Sequence, residues 1–320
     1  MQGLVTVFGG SGFLGAQAVR ALAKRGLRLR VAVRNPGRGY RLRMLGDVGQ
    51  IQVVQANIRN PASIARALDG AQACVNLVGV LYESGRQKFQ SLHAMGARNL
   101  AEAAVAQGVQ RFVQVSAIGA DLESASKYAR TKAMGEAAVR EVMPGAVILR
   151  PSVVFGPEDH FFNRFGAMST LSPMLPLIGG GASLLQPVFV GDVAAAIERA
   201  VMDPEAEGRT YELGGPGVYS FKALMQLLAR ETGRRPFLAP IPFPLAGLIG
   251  MAGELTAGLI APPLTRDQVE SLRTDNVVSP GALGLADLGV QATALEAILP
   301  TYLFRYRKGG QYAEAVARGA

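Results

Sequence analysis

The chain has little of what metal and disulfide chemistry requires. Its 320 residues contain one cysteine, Cys74, and two histidines, His93 and His160. A single cysteine excludes a disulfide framework and a cysteine-rich zinc or iron–sulfur site, and it suits a reducing compartment. The histidines lack the HExxH spacing of a zinc-binding helix, so we expect no metal site.

Long apolar runs and targeting patterns are also missing. The most apolar stretch, Leu245–Ala261, is shorter than the ~20 residues that cross a bilayer, and Glu254 interrupts it, so no transmembrane segment is expected. The N-terminal residues enter a strand-like run at Leu4–Phe8 without the pattern of a signal peptide or a mitochondrial presequence. Contact of this apolar stretch with a membrane surface or an apolar partner stays open.

The formal net charge is +9, and no long basic run concentrates it. Such an excess suggests an anionic partner, namely nucleotide phosphates, lipid headgroups, an acidic protein surface or nucleic acid, or it reflects only a basic surface. Basic residues are not interleaved with aromatic ones, so the pattern predicts no nucleic acid partner.

Short apolar runs alternate with helical patterns in the first half of the chain. Such runs, with almost no polar alternation, are typical of a parallel sheet covered on both faces. Repeated strand–helix–strand units predict an α/β fold with a doubly wound parallel sheet of the Rossmann type. The predicted strands are Leu4–Phe8, Leu29–Val33, Ile51–Gln55, Ala73–Val78, Phe112–Val115 and Ala146–Leu149, and the predicted helices are Phe13–Lys24, Ser63–Leu68, Gln87–Ala106 and Lys127–Glu141.

Glycine and proline become more frequent in the second half, which indicates a smaller lobe. Two pieces still resemble extensions of the sheet, Val188–Val190 with the helix after it and Thr210–Leu213. We therefore predict a nucleotide-binding domain over residues 1–155. A C-terminal lobe over residues 156–320 is predicted to interleave with the sheet through the pieces near 187–214.

A glycine-rich loop, GGSGFLG, lies between the first strand and the first helix. Its spacing is Gly9-x-x-Gly12-x-x-Gly15: the turn needs positive φ, a Cβ at Gly12 would clash with a pyrophosphate, and Gly15 lets the helix pack on the sheet. The helix N-terminus attracts the phosphate charge. The predicted contacts to a bound dinucleotide are Gly9, Gly10, Ser11, Gly12, Phe13, Leu14 and Gly15.

The end of the second strand bears on the choice of nucleotide. Arg34 stands where an NAD site usually has Asp or Glu, and a guanidinium can pair with a 2′-phosphate, which favours NADP(H). Arg38, Arg41 and Arg43 either assist or are solvated surface charges. Asn57 and Ile58 follow the third strand and are expected near the adenine, and Leu77, Val78 and Gly79 follow the fourth strand beside the ligand.

A Tyr-x-x-x-Lys pair, Tyr128 and Lys132, lies on one face of a predicted helix. In a hydride-transfer enzyme the tyrosine exchanges the proton of the carbonyl oxygen, while the lysine lowers the tyrosine pKa and binds the nicotinamide ribose. Ser116, at the end of the fifth strand, is the candidate third member. Ile118 stands where a hydroxyl is common in related reductases, so the trio is either active or vestigial.

Together these residues resemble the short-chain dehydrogenase/reductase superfamily, in its extended or atypical branch. The segment Arg150–Pro157 also fits that pattern, and the resemblance implies that Pro151 and Val153 contact the cofactor. A narrower similarity, to the NADPH-binding accessory subunit of respiratory complex I (NADH:ubiquinone oxidoreductase), rests on Ser126–Glu141, Arg150–Phe165, Gln186–Ala194, Arg41–Gly49, Pro240–Pro244 and Leu264–Glu270.

That resemblance implies a tightly held NADPH that is not turned over. The subunit would stabilise the hydrophilic arm near its junction with the membrane arm and the quinone site, among other complex I subunits, with its C-terminal lobe touching the membrane surface. Without a presequence pattern, we expect a bacterial protein, peripheral on the cytoplasmic side of the inner membrane; a eukaryotic one would lie on the matrix side. Alternatives are a free NADP-dependent reductase, dehydratase or epimerase, and a nucleotide-dependent sensor.

Overall fold

The computed structural model describes residues 3–256, 262 and 264–312. The chain divides into two compact units, each taken here over its described residues. Unit 1 is Met1–Pro151, Val190–Leu213 and Ser279–Gln291, and unit 2 is Ser152–Phe189, Gly214–Val278 and Ala292–Ala320. The boundary predicted after residue 155 lies four residues beyond the first segment of unit 1. Residues 313–320 of the predicted lobe lie outside the described residues.

The strands are numbered in chain order. They are β1 Leu4–Phe8, β2 Arg28–Val33, β3 Ile51–Gln55, β4 Ala73–Asn76, β5 Arg111–Val115, β6 Val147–Pro151, β7 Val154–Phe155, β8 Met174–Ile178, β9 Leu184–Leu185, β10 Val188–Phe189, β11 Thr210–Leu213, β12 Tyr219–Ser220 and β13 Phe237–Ile241.

The α-helices are numbered in the same way. They are α1 Phe13–Lys24, α2 Pro61–Leu68, α3 Met95–Ala106, α4 Lys127–Val142, α5 Phe162–Leu171, α6 Val190–Met202, α7 Phe221–Thr232, α8 Phe243–Thr256, α9 Arg266–Ser271, α10 Leu295–Ile298 and α11 Pro300–Leu303.

Unit 1 is built on a parallel sheet in the order β11-β6-β5-β4-β1-β2-β3. All four residues of β4 are buried, as are the last four of β1 and β5. Burial without alternation arises because helices cover both faces of the sheet. The strand order reverses between β1 and β4, although the two strands run parallel, so their carboxyl ends border the crevice where such folds bind ligands. The predicted doubly wound Rossmann fold is confirmed.

Two predicted boundaries in unit 1 are wrong for local reasons, and the others agree with the structure or differ by at most two residues. Strand β4 ends at Asn76, not at Val78, because the Asn76 amide oxygen accepts the backbone N–H of Val78 and turns the chain out of the sheet. The helix predicted over Gln87–Ala106 starts as a π-helical turn, Gln90–Ala94, before α3 begins at Met95. A Cβ on Gly135 of α4 would lie 2.1 Å from the carbonyl oxygen of His93, so this π turn fits only against glycine.

The core of unit 1 is formed by small and branched side chains between the sheet and its helices. Cys74 belongs to it, and burial raises the pKa of its thiol, as suits an inert core residue. On the other face, α1 packs on α6, and Arg25 pairs with Glu198 across 2.7 Å. The ion pair holds the C-terminal end of α1, where Arg25 is the C-cap residue, against α6.

Unit 2 has a core of its own, rich in aromatic side chains. Its parallel pairs are β8 with β13 and β7 with β10, and β9 pairs antiparallel with β12. The Tyr302 hydroxyl donates to a carboxylate oxygen of Asp159 over 2.5 Å, and Tyr306 donates to Asn163 over 2.8 Å. The C-terminal residues are thereby tied to the segment before α5.

Helix α8 leaves much of its apolar surface exposed. The exposed fractions are 51% for Leu245, 59% for Leu248, 41% for Ile249 and 46% for Met251. The remainder of the apolar stretch to Pro263 lies largely outside the described residues. Among the helices that the structure describes, none combines the length and hydropathy that spanning a membrane would require.

Candidate dinucleotide-binding site

The glycine loop closes as a tight turn between β1 and α1. Gly9 has φ of +82°, which an L-residue rarely adopts, and its carbonyl accepts the N–H of Gly12 over 3.1 Å. A Cβ on Gly15 would lie 2.4 Å from the Gly9 oxygen and 2.6 Å from the Gly10 Cα. Gly9 and Gly15 are therefore required by the fold of the loop itself.

Gly12 is different, because the protein leaves space beside it. A Cβ there would meet, among the described residues, only the Gly9 oxygen at 3.5 Å, and Gly12 is itself exposed with φ of −80°. Gly12 is the N-cap of α1, and no described side chain caps that helix. Open space in front of uncapped helix N–H groups fits a pyrophosphate.

The segment after β4, Leu77–Val80, borders the loop and is called here the 77–80 loop. A Cβ on Gly9 would lie 3.1 Å from the Leu77 carbonyl carbon, and one on Gly79 would lie 3.3 Å from the Lys132 Nζ. The Asn76 amide accepts the N–H of Val78 over 3.1 Å and donates to Gln114 over 2.8 Å. This backbone therefore lies between the glycine loop and the predicted catalytic lysine.

His93 holds the far end of the 77–80 loop. Its Nε2 accepts the Val80 N–H over 3.1 Å, and its Nδ1 lies 3.1 Å from the Thr131 hydroxyl, which in turn donates to the Lys127 carbonyl. The ring is buried, and this burial, with the nearby Lys132 charge, lowers the His93 pKa to about 2. His93 is therefore a neutral tether between the loop and α4.

The structure brings the predicted trio to one region of unit 1. Lys132 is buried, its Nζ donates to the Val115 carbonyl over 3.2 Å, and it lies 5.8 Å from the centroid of the Tyr128 ring. Tyr128 is half-buried with its ring edge-on to His93. The Ser116 hydroxyl is buried and has no hydrogen-bond partner among the described residues. A buried orphan hydroxyl fits a site made for a polar ligand group.

The charge of Lys132 is set by its surroundings. Burial lowers the pKa of its ammonium to about 8, and the carboxylate of Glu136, one turn further along α4, partly opposes this. Glu136 in turn pairs with Arg150 at 2.7 Å. Lys132 is thus a buried ammonium with a lowered pKa, as befits a group that meets a ligand.

The adenine side of the predicted site is more open. Arg34 is exposed, and its guanidinium donates to the neutral Gln87 amide over 2.8 Å. The Asn57 side chain accepts the backbone N–H of Arg59 over 3.1 Å. The Ile58 side chain is buried against Gly96, where a Cβ would lie 2.5 Å from it, and its carbonyl accepts a hydrogen bond from the Asn99 side chain over 3.3 Å.

The remaining predicted residues lie further along the chain. Pro151 is buried at the end of β6, where its carbonyl accepts the N–H of Ile118, itself buried. Val153 belongs to unit 2 and is half-buried. His160 is exposed, and the preceding residue, Asp159, accepts the N–H of Asn163 at the start of α5. The roles of these residues, and of the others in the site, stay predictions.

Sequence reasoning missed the side chains that hold the 77–80 loop. Asn76, His93 and Gln114 are buried polar residues in apolar segments. Their polarity within an apolar strand or helix was the available signal, because buried polar groups need partners. Among the described residues no group of three or more potential metal ligands is present.

The comparisons with known proteins agree with this geometry. Residues 5–214 match the model of the NAD dependent epimerase/dehydratase family. A relative from Arabidopsis thaliana, the mitochondrial NADH dehydrogenase [ubiquinone] 1 alpha subcomplex subunit 9, is 36% identical, with 96% of this chain and 79% of the relative covered. Ceramide reductase from Caulobacter vibrioides is 32% identical over 81% of this chain and 77% of that protein.

Solved structures support the same fold. Triphenylmethane reductase of Citrobacter sp., solved with NADP(H), superposes with a TM-score of 0.71 at 21% identity, with 91% of this chain and 97% of that chain covered. The resemblance to extended short-chain dehydrogenases is confirmed, and with it an NAD(P)-type cofactor. The chain therefore belongs to the NAD dependent epimerase/dehydratase family, in the branch that includes the alpha subcomplex subunit 9 of NADH dehydrogenase [ubiquinone].

Proposed function

We propose that this chain is an accessory subunit of respiratory complex I that holds NADPH without turning it over. It would stabilise the hydrophilic arm near the junction with the membrane arm and the quinone site. The observation that carries the proposal is the 36% identity over 96% of the chain to a relative named as a subunit of NADH dehydrogenase. A match of this extent covers the glycine loop, the Tyr128/Lys132 pair and unit 2 together.

The site supports firm binding more than it supports turnover. The space at Gly12 receives the pyrophosphate, and the 77–80 loop, tied by Asn76 and His93, orients the backbone beside the nicotinamide half. A bound nicotinamide supplies hydride. Accepting that hydride requires a polarised carbonyl, and the buried apolar Ile118 supplies no hydroxyl beside Ser116 for this purpose.

Arg34 supports NADPH over NADH. Its guanidinium is exposed, and the amide of Gln87 is a neutral partner that a phosphate dianion would displace. Residues 1–46 contain no Asp or Glu, so that segment has no carboxylate to repel a 2′-phosphate or to bind the free ribose hydroxyls of NADH.

The test is purification of NADH:ubiquinone oxidoreductase from membranes of the source organism. We expect the chain in the complex with about one NADPH per copy by chromatography after denaturation, and we expect that NADPH to stay reduced while NADH is oxidised. A purified, active complex that lacks the chain would overturn the proposal. So would NADPH that is oxidised in step with NADH.

A second function is favoured by the similarity to a protein named ceramide reductase and by the orphan Ser116 hydroxyl. In this alternative the chain is a free NADP-dependent reductase or epimerase. NADPH consumption with long-chain keto-amides, or redox-neutral epimerisation of nucleotide sugars, would show it, provided that Tyr128→Phe abolishes the rate. A rate that survives Tyr128→Phe would count against this reading.

We further propose that α8 contacts the membrane surface and that the protein is peripheral. It would lie on the cytoplasmic face in a bacterium or on the matrix face in a mitochondrion. The support is the exposed apolar surface of α8 and the Arg273 guanidinium, 4.4 Å from the centroid of the Phe243 ring. Flotation with vesicles that contain anionic lipid should be lost in Leu248→Asp/Met251→Asp. It should persist in Leu171→Asp, which alters an 89% exposed leucine on α5.

A further inference from the structure

The net charge of the chain has a regional origin that no run of basic residues reveals. Residues 1–46 hold nine of the 33 Lys and Arg residues and none of the 24 Asp and Glu residues. The remaining 274 residues carry 24 charges of each sign and are formally neutral. The entire excess of +9 therefore lies in β1, α1, β2 and the segment that follows.

Much of this charge is unpaired. Arg20, Lys24, Arg28, Arg38 and Arg41 are exposed, and none of them forms an ion pair with a described residue. Arg25 is paired with Glu198, and Arg34 has only the neutral Gln87. Unpaired like charges on one surface repel each other, so an anionic partner that binds there relieves the repulsion.

A groove lies within this region, at the amino ends of β1, β2 and β3. Its volume is about 700 Å³, and its lining combines arginines, apolar side chains and one carboxylate, among them Arg28, Arg30, Arg43, Leu4, Val48 and Asp47. Gly9 follows the carboxyl end of β1, so the groove is at the opposite end of the sheet from the glycine loop. Folds of this kind bind their nucleotide at the carboxyl ends of the strands, which leaves this groove outside the dinucleotide site.

Internal hydrogen bonds hold the groove in shape. Arg30 donates to the carbonyls of Ala67 and Asp69, which directs its charge along the groove wall. The Gln50 amide donates to the carbonyls of Ala23 and Leu27 and so attaches the end of α1, with Lys24, to the start of β3. A preformed groove binds a partner at a lower entropic cost than a mobile one.

The composition of the groove and its rim discriminates between anionic partners. Binding of single-stranded nucleic acid calls for aromatic rings on which bases stack, and no aromatic side chain is among the described residues that line the groove. A flat bilayer does not enter a groove. An extended acidic segment does, because its carboxylates can pair with arginines while its apolar side chains meet Leu4 and Val48.

We propose that the groove at the amino ends of β1–β3 docks an acidic segment of a partner protein. This rests on the proposed function, because the complex I assembly would supply that partner. Exposed Val48, fully accessible, and Met44, 82% exposed, would flank the segment as apolar contacts. In this proposal the basic first 46 residues bind a partner protein, in addition to their part in binding NADPH.

The experiment compares the full-length wild type with Lys24→Glu/Arg28→Glu, with Arg28→Glu alone and with Arg235→Glu. Arg235 is an exposed arginine of unit 2 without a described ion-pair partner, so its reversal is a control matched in charge to Arg28→Glu. The probe is a fluorescein-labelled hexaglutamate peptide, followed by anisotropy at 50 mM salt. We expect the double variant to raise the Kd at least tenfold and the control to change it less than twofold.

Three results would overturn the proposal. They are no peptide binding by the wild type, equal weakening by Arg28→Glu and by Arg235→Glu, or a double variant that loses binding to phosphatidylglycerol vesicles or single-stranded DNA while it keeps the peptide. NADPH affinity and melting temperature check that the double variant folds, and Lys24→Gln/Arg28→Gln replaces it if it does not.

Co-purification with the respiratory complex separates this inference from the proposed function. A wild-type chain that does not co-purify refutes the proposed function, and the peptide measurement still decides about the groove. A wild type that co-purifies together with a double variant that does not, although it retains NADPH, supports both. A double variant that co-purifies as well as the wild type overturns docking through the groove.

Discussion

The backbone N–H of Val80 donates to Nε2 of His93 over 3.1 Å, which fixes the proton of the neutral ring on Nδ1. Nδ1 then donates to the Thr131 hydroxyl, 3.1 Å away. One buried side chain thus joins the 77–80 loop to α4, the helix that carries Tyr128 and Lys132. The orientation of the 77–80 backbone, which we propose lies beside the nicotinamide half of the cofactor, depends on this joint.

Replacing His93 should therefore weaken the binding of the nicotinamide half of NADPH more than the binding of its adenosine half. In His93→Leu, the Val80 N–H is left buried without an acceptor, and we expect the Kd for NADPH to rise about tenfold. The Kd for 2′,5′-ADP, which lacks the nicotinamide half, should change less than twofold. His93→Gln, which can still accept from Val80, should restore part of the loss. Equal weakening of both ligands would assign His93 a merely structural role.

The same residue predicts a pH dependence of stability. Its folded pKa is about 2, against an ordinary value of 6.5, so below pH 6.5 the unfolded chain takes up a proton that the folded chain does not. The free energy of unfolding should fall by about 2 kcal/mol from His93 alone between pH 7 and pH 5. Urea titrations at both pH values should show this decrease in the wild type. If His93→Gln shows the same decrease, another group is responsible.

Two glycines of one loop should respond differently to alanine. Gly15→Ala places a Cβ 2.4 Å from the Gly9 oxygen and should destabilise the fold by ~2 kcal/mol or more. Gly12→Ala meets that oxygen at 3.5 Å and should fold normally, but its Cβ occupies the space of the pyrophosphate. Thermal melts and NADPH titrations check both. An unchanged NADPH affinity in a folded Gly12→Ala protein would contradict the placement of the phosphate.

The buried ammonium of Lys132 should destabilise the folded protein when no ligand is bound. Burial lowers its pKa from 10.5 to about 8, so the unfolded chain binds more protons between these values and stability should rise as the pH increases from 8 to 10.5. Lys132→Met should remove that rise and increase the melting temperature at pH 7 by about 2–4 °C, while it weakens NADPH binding. A lower melting temperature in Lys132→Met would show that the ammonium stabilises the unliganded fold.

Arg34 should set the choice between the two dinucleotides. Arg34→Ala removes the guanidinium that we assign to the 2′-phosphate, and the Kd for NADPH should rise about 10- to 100-fold. The Kd for NADH should change little, because NADH has no phosphate at that position. Arg38→Ala is a useful comparison on the same surface. A loss of NADH affinity as large as that for NADPH would indicate a general distortion of the loop.

Several features of the site could be predicted from the amino-acid sequence, whereas others depend on contacts between residues that are distant in sequence. The glycine spacing, the Tyr128/Lys132 pair and the strands around them are local patterns, and the structure contains each of them. Asn76 ended its strand two residues early, and the π turn interrupted the predicted third helix, because contacts with the 77–80 loop and with Gly135 override local preference. His93 was considered only as a metal ligand, since its partners are distant in sequence.

The sequence by itself determined the fold class and the family, and it predicted the region that binds a dinucleotide. Those depend on hydrophobic periodicity and on short motifs whose geometry is set within one strand–turn–helix unit. Only the tertiary structure decided that Gly15 serves packing while Gly12 leaves space, that His93 is a neutral tether, and that the basic first 46 residues border a groove remote from the glycine loop. Each of these depends on which strands and helices become neighbours, and burial and hydrogen bonding between distant residues settle that.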